Sequence, residues 1–166
     1  EKASSLRNVN RQKLMREEPI EFKQRSAIGS MYMYSYQPKH RETLPYYDTF
    51  PLTIIVGKVD GGFTGLNLHY LPMTLRAKFL DSLMEVTNNK KYDETTKFRL
   101  KYDILNGVQK FKYFKPCFKR YIGKQVRSRF AYVPPPEWEI ATFLPTADFQ
   151  KMSQSAVHKE SRKMIN

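Results

Sequence analysis

Leu52-Thr53-Ile54-Ile55-Val56-Gly57-Lys58-Val59-Asp60-Gly61-Gly62-Phe63-Thr64-Gly65-Leu66-Asn67-Leu68 is the stretch on which the fold turns. Leu52 to Val59 is an apolar run rich in β-branched residues, which pack well on a pleated surface and crowd the preceding turn of a helix. Asp60-Gly61-Gly62 supplies a tight turn, because glycine reaches the positive φ values that hairpin turns need. Phe63 to Leu71 then reads as the partner strand, alternating around Leu66, Leu68 and Tyr70. Upstream, Met31-Tyr32-Met33-Tyr34-Ser35-Tyr36 follows Gly29 and is again rich in strand formers. Between them lie a polar loop over 37–43 and prolines at 38, 45 and 51, which make the stretch a poor place for helix. Three strands joined by one long and one tight connection predict a small, curled antiparallel sheet over about residues 30–72, compatible with a partial SH3-like barrel.

Helices are expected to dominate after Pro72. Leu75, Phe79, Leu83 and Val86 recur at helical spacing behind Thr74, a possible N-cap, and Asn88-Asn89 stops the run. Asp93 to Leu105 carries two signals. Phe98, Leu100, Tyr102 and Ile104 alternate like a strand, whereas Thr95 and Gly107 suit the two ends of a helix, and helix is the favoured reading. Pro116 suits the first turn of a further helix running to about Ser128. Phe130 to Val133 is a short strand, Pro134-Pro135-Pro136 a stiff connector, and Glu137 to Phe143 a short helix with the sole tryptophan, Trp138. A last helix over about 149–164 is thinly apolar and is expected to dock. The class is therefore α+β: a small sheet followed by a helical C-terminal half. Residues 26–166 form a single α+β domain in this reading, and residues 1–25, polar and mixed in charge, an arm that orders only against a partner.

The chain has 166 residues, 40% of them apolar and 14% aromatic, enough for a real core. Lys and Arg number 29 against 16 Asp and Glu, a formal net charge of +13, with a pI of about 9.8. Such an excess points to polyanionic or acidic partners: nucleic acid, an anionic membrane surface or acidic protein. The one cysteine, Cys117, cannot make an internal disulfide and has no Cys/His companions for zinc. No apolar run reaches the length needed to span a bilayer, and the start lacks a signal-peptide core. The first residue is Glu1, so the chain reads as processed or incomplete at this end.

Every charged residue from 109 to 129 is basic: Lys110, Lys112, Lys115, Lys119, Arg120, Lys124, Arg127 and Arg129. On a helical wheel Lys119, Arg120, Lys124 and Arg127 fall within about 140° of one another. Cys117, Phe118, Tyr121, Ile122 and Val126 fall on the other side. Cations held on one rigid face release condensed counterions when they meet a polyanion, and arginine grips phosphate through two hydrogen bonds. These residues are the candidate DNA-binding set, with Lys119, Arg120 and Lys124 expected to face solvent. An ordinary amphipathic helix with a Lys/Arg wet side, and a face meant for acidic protein, are the competing readings. Phe111, Tyr113, Phe114, Phe118 and Tyr121 are interleaved with the bases, in the manner of base-stacking side chains, but core packing is the favoured reading.

Catalytic chemistry has little support. Asp48 and Asp60 flank one strand and Asp81 and Glu85 lie four apart, in no nuclease pattern; Asp48 reads as a turn residue and the pair as a solvated helix face. His40, His69 and His158 are isolated, His69 being outward or hydrogen-bonded in its strand. No catalytic residue, metal site, cofactor or small-molecule substrate is expected.

Met31-Tyr32-Met33-Tyr34, Leu44-Pro45-Tyr46-Tyr47-Asp48-Thr49-Phe50-Pro51-Leu52 and Gly62-Phe63-Thr64-Gly65-Leu66-Asn67-Leu68-His69-Tyr70-Leu71-Pro72 resemble, in this order, small virion proteins of T-even-like tailed phages. Phe114-Lys115-Pro116-Cys117, Gln125-Val126-Arg127-Ser128 and Glu137-Trp138-Glu139 fit the same pattern, which covers roughly residues 27–165. The family is that of the DNA end protectors. The resemblance implies a non-enzymatic virion protein, made in the host cytoplasm, that caps the double-stranded terminus of the packaged genome against exonuclease. It also implies a role in head completion and head–tail joining, with portal, neck or tail proteins as partners and no membrane. A structural neck, tail or baseplate component is the alternative, and a nuclease acting on DNA ends a distant third.

Overall fold

The computed structural model describes residues 28–165; the expected arm over 1–25 lies outside the described residues. The strands are β1 (Met31–Met33), β2 (Tyr47–Asp48), β3 (Leu52–Val59), β4 (Gly62–Asn67), β5 (Phe118–Ile122), β6 (Ala131–Val133) and β7 (Phe149–Gln150). The helices are α1 (Met73–Thr87), α2 (Glu94–Val108), α3 (Trp138–Phe143) and α4 (Gln154–Ile165), with short 3-10 turns at Leu68–Tyr70, Lys112–Cys117, Gly123–Gln125 and Pro135–Glu137. Among the described residues all four α-helices follow Pro72, after the β3–β4 hairpin, in keeping with the α+β reading.

Five strands form one antiparallel sheet in the order β5-β4-β3-β1-β6, and β2 pairs with β7 in a separate ribbon. Beyond β1, Tyr36 bridges Val126; Gln37 N donates to Gln125 O at 3.0 Å and Arg127 N to Ser35 O at 2.8 Å. The chain leaving β5 thus turns through Gly123–Gln125 and returns against the continuation of β1. The sheet curls towards closure, and the C-terminal half contributes two of its strands.

Alternation along β1 divides the interior. Met31 and Met33 join Leu52, Ile54 and Leu66 in the main core, which α1 (Phe79, Leu80, Leu83) and α3 (Trp138, Ala141) cover. Tyr32, Tyr34 and Tyr36 face the other way into an aromatic cluster with Ile55, Phe63 and Tyr121. Side chains on a strand point alternately to its two faces, so MYMYSY encodes a sheet covered on both sides. The hydroxyls are provided for: Tyr34 Oη donates to Thr53 Oγ1 at 3.0 Å, and Tyr36 Oη accepts from Ile122 N at 2.9 Å. Trp138 Nε1 donates to Val133 O at 2.9 Å, seating α3 on β6.

Several boundaries differ from the sequence reading. The strand expected to reach Leu71 ends at Asn67, whose Oδ1 accepts from His69 N at 3.0 Å and caps a 3-10 turn. Asp93, not Thr95, caps α2, accepting from Thr96 N at 2.7 Å. The last helix begins at Gln154, because Phe149 and Gln150 are drawn into β7. The largest correction concerns 116–128: no helix forms there. Pro116 lies in a 3-10 turn, and Phe118–Ile122 becomes β5. A short run of aromatic and β-branched residues reads alike at period 3.6 or 2. The outer edge of β4 has unpaired N–H and C=O groups that a strand satisfies and a helix does not.

The long connection between β1 and β3 is pinned by one carboxylate. Asp48 is 4% exposed; its Oδ1 accepts from Phe50 N at 3.0 Å and Asp148 N at 3.2 Å. Its Oδ2 accepts from Asn67 Nδ2 at 3.0 Å and lies 2.6 Å from His69 Nδ1. Burial alone would raise this carboxyl, but the charge of His69 and the donated hydrogen bonds outweigh it and hold Asp48 below its ordinary value.

Asp48→Ala should lower the unfolding free energy by about 3–5 kcal/mol, because it strands several buried donors; chemical denaturation measures this. With the folded carboxyl depressed, its stabilisation is present above about pH 4 and is lost as pH falls through the folded value. That part of the acid slope should vanish in the variant. Separately, Gly61 takes a positive φ of 73° at the hairpin, and a Cβ on Gly62 would overlap the Tyr121 carbonyl oxygen. Gly62→Ala should therefore loosen β5 from β4, raising amide hydrogen exchange across Phe118–Ile122 and costing about 1–3 kcal/mol.

Candidate nucleic-acid interface

The basic segment leaves α2, crosses the 3-10 turn at Lys112–Cys117, runs along β5 and returns past Gly123–Gln125. Buried Pro116 and Cys117 anchor it to the core, leaving its charged side chains outside. Lys110, Lys112 and Lys115 are exposed on the connector. Arg120 is exposed on β5, with Nη2 donating to Asp60 O at 3.2 Å. Lys124 is exposed in the following turn; Arg127, bonded to Gln125 Oε1 at 3.2 Å, and Arg129 are exposed beyond it. Among the described residues none of these cations is ion-paired with a carboxylate. The single helical face expected for them is replaced by a display along an extended, turning chain.

Lys119 departs from expectation most. It is half-buried, with Nζ 4.1 Å from the centroid of the Tyr70 ring, and not turned to solvent. Burial pushes its ammonium below the ordinary lysine value. The β4–β5 register sets Thr64 opposite Arg120 and Gly65 opposite Lys119. Lys115, Lys119 and Arg120 thereby come together with Thr64, Gln109 and Phe118 around an open groove of about 370 Å³. Of the expected set, these three share one concavity, while Lys110 and Lys112 lie on the adjoining connector. Burial also drives the neighbouring Cys117 thiol up to about 12, so it stays protonated and inert.

The interleaved aromatics divide. Phe114 packs on Phe79 with ring centroids 5.4 Å apart, Phe118 lies against the main core, and Tyr121 is buried in the aromatic cluster. For these three the core reading holds. Phe111 and Tyr113 are 61% and 52% exposed, and Lys112 Nζ lies 5.8 Å from the Tyr113 centroid. The core reading fails for this pair, which sits among Lys110, Lys112 and Lys115.

A polar network is invisible in the sequence because its members are far apart. His69 Nδ1 faces Asp48 and His69 Nε2 lies 3.1 Å from Thr146 Oγ1. His158 Nε2 donates to His69 O at 2.9 Å, and Arg76 Nη2 donates to the same carbonyl at 3.1 Å. Arg76 also donates to Leu71 O and Thr142 O, and burial lowers it to about 10. Carboxylate, imidazole and hydroxyl stand in the order of a nucleophilic triad, but His69 is 1% and Thr146 7% exposed. Both are closed off from the surface, and their contacts tie Asp48, the 3-10 turn and the segment at Thr146 together. His69 is thus inward and hydrogen-bonded, in a 3-10 turn and not in a strand. Asp81 and Glu85 are exposed on α1 as expected, beside a second groove with Glu139, Leu80, Met84 and Phe143. Among the described residues no three His, Cys, Asp or Glu side chains gather to hold a metal ion, and no helix is long and apolar enough to cross a membrane.

A family model described as Phage T4 terminal DNA protecting protein matches residues 12–164, and the chain belongs to that family. No curated protein and no solved structure matches it.

Proposed function

Starting from membership of a family that protects terminal phage DNA, we propose that this protein caps the end of the packaged linear genome and shields it from exonuclease without catalysis. The observation that carries this reading is the basic stretch from 109 to 129, free of carboxylates and without ion pairs among the described residues. Lys124, Arg127, Arg129 and the connector lysines contact backbone phosphates, the sequence-independent term that dominates DNA affinity. Residues 26–166 act as one unit in this reading. The protein is made in the host cytoplasm and joins portal, neck or tail proteins as the head is completed.

An end differs from internal duplex by the open face of its last base pair. Phe111 and Tyr113 are exposed rings flanked by lysines, suited to lie on that face. A second reading, a structural neck, tail or baseplate component, draws on the groove where Asp81, Glu85 and Glu139 border apolar Leu80, Met84 and Phe143. That surface suits a basic, apolar protein segment, and both surfaces can be occupied at once.

Binding to linear and covalently closed duplexes of matched length, measured across a salt series, tests the proposal. Salt-dependent binding that favours the linear form and blocks exonuclease supports it; no binding to either form overturns it in favour of the structural reading. The triple variant Lys124→Glu, Arg127→Glu, Arg129→Glu should keep its stability within about 0.5 kcal/mol. Its salt slope should fall by about one unit for each phosphate that the variant no longer neutralises. Phe111→Leu with Tyr113→Leu, which keeps apolar side chains but removes the flat rings, should lower the preference for linear over closed DNA and leave the salt slope unchanged.

A further inference from the structure

The groove between β4, β5 and the α2 connector holds a cation of unusual standing. Lys119 is half-buried and forms no hydrogen bond or ion pair among the described residues; its neighbour is the face of Tyr70. A desolvated ammonium without an anion is costly, and the cost is relieved by an anion that enters and donates its oxygens. Lys115 and Arg120 stand at the rim, and Gln109 and Thr64 add a side-chain amide and a hydroxyl to the lining. With Phe118 as the apolar wall, the lining contains no carboxylate to compete for the cations.

We propose that this groove binds a phosphate monoester, and that its ligand is the terminal phosphate of the DNA strand; the inference rests on the end-capping reading above. An internal phosphodiester is flanked by sugars on both sides and sits on the convex ridge of the duplex, which keeps it from a recessed ammonium. A terminal monoester has three free oxygens, close to two negative charges at neutral pH, and projects from the end of its strand. Its oxygens match the donors present: an ammonium at the floor, a guanidinium and a second ammonium at the rim, and the Gln109 amide. Gln109 and Lys115 bound the same connector that carries Phe111 and Tyr113, so phosphate site and exposed rings belong to one short segment. One strand terminus can engage both.

The test uses blunt duplexes of one sequence carrying a 5′-phosphate, a 3′-phosphate or hydroxyls at the ends, with a covalently closed dumbbell as reference. For the wild-type chain, one phosphorylated form should bind about tenfold more tightly than the hydroxyl form, the gain of one well-made charge-assisted hydrogen bond. The form that gains identifies the strand end recognised. Lys119→Met, which keeps an unbranched apolar stem on Tyr70, should reduce that ratio to about one, and Arg120→Gln, on the exposed rim, should reduce it partially. A wild-type ratio near one, with linear binding intact, overturns the phosphate site alone. So does a tenfold ratio that survives both substitutions. Failure of the wild type to bind any of the duplexes overturns the end-capping reading and the site with it.

Discussion

A buried carboxylate holds this protein together. Asp48 takes donors from its own turn, from Asn67 at the end of β4, from the imidazole of His69 and from the backbone at Asp148. These come from segments about twenty and one hundred residues apart along the chain. Hydrophobic burial does not specify such a meeting, because it is non-directional. The hydrogen bonds give it direction, and the carbonyl of His69 extends it through Arg76 and His158 to α1 and α4. The second ribbon, β2 with β7, and the cap of the 3-10 turn at Leu68–Tyr70 both follow from this tie.

The basic surface depends on a different constraint, the need to complete the sheet. β4 presents an edge, and the part of the chain that fills it lies beyond two helices. Because Gly62 has no side chain, the backbone of Tyr121 comes close enough to pair. Once Phe118–Ile122 is fixed, Lys119 is drawn inward over Tyr70 while Arg120 stays outside. The groove is therefore a by-product of strand pairing, and its charge distribution reflects strand register more than helical amphipathicity.

Much of the fold is legible in the sequence. The hairpin of β3 and β4 declares itself through β-branched residues and Asp60-Gly61-Gly62, and α1 through its apolar spacing. The identity of the basic residues is equally plain, since the absence of acids from 109 to 129 needs no structure to see. Their arrangement is hidden, because Phe118, Tyr121, Ile122 and Val126 satisfy either period and only the open edge of β4 decides between them. The chain of contacts from Asp48 through His69 to Thr146 is invisible, since nothing local marks residues that meet across such separations. The exposure of Phe111 and Tyr113 is likewise a matter of tertiary context: aromatic residues usually go inside, and these two find no core within reach.

The connectivity of the sheet also governs when the protein becomes whole. β3 and β4 are joined by a two-residue turn and form early, whereas Met31 must find Val133 and Leu66 must find Phe118. Closing such long loops costs chain entropy before the pairing returns it, and non-local pairings slow folding for that reason. During synthesis the first hairpin emerges well before β5 and β6 exist, with the outer edge of β4 open and apolar side chains of β3 uncovered. The interval in which the edge can pair wrongly is ended by arrival of the basic strand itself. The segment that carries the charge is thus also the one that seals the sheet against unwanted neighbours.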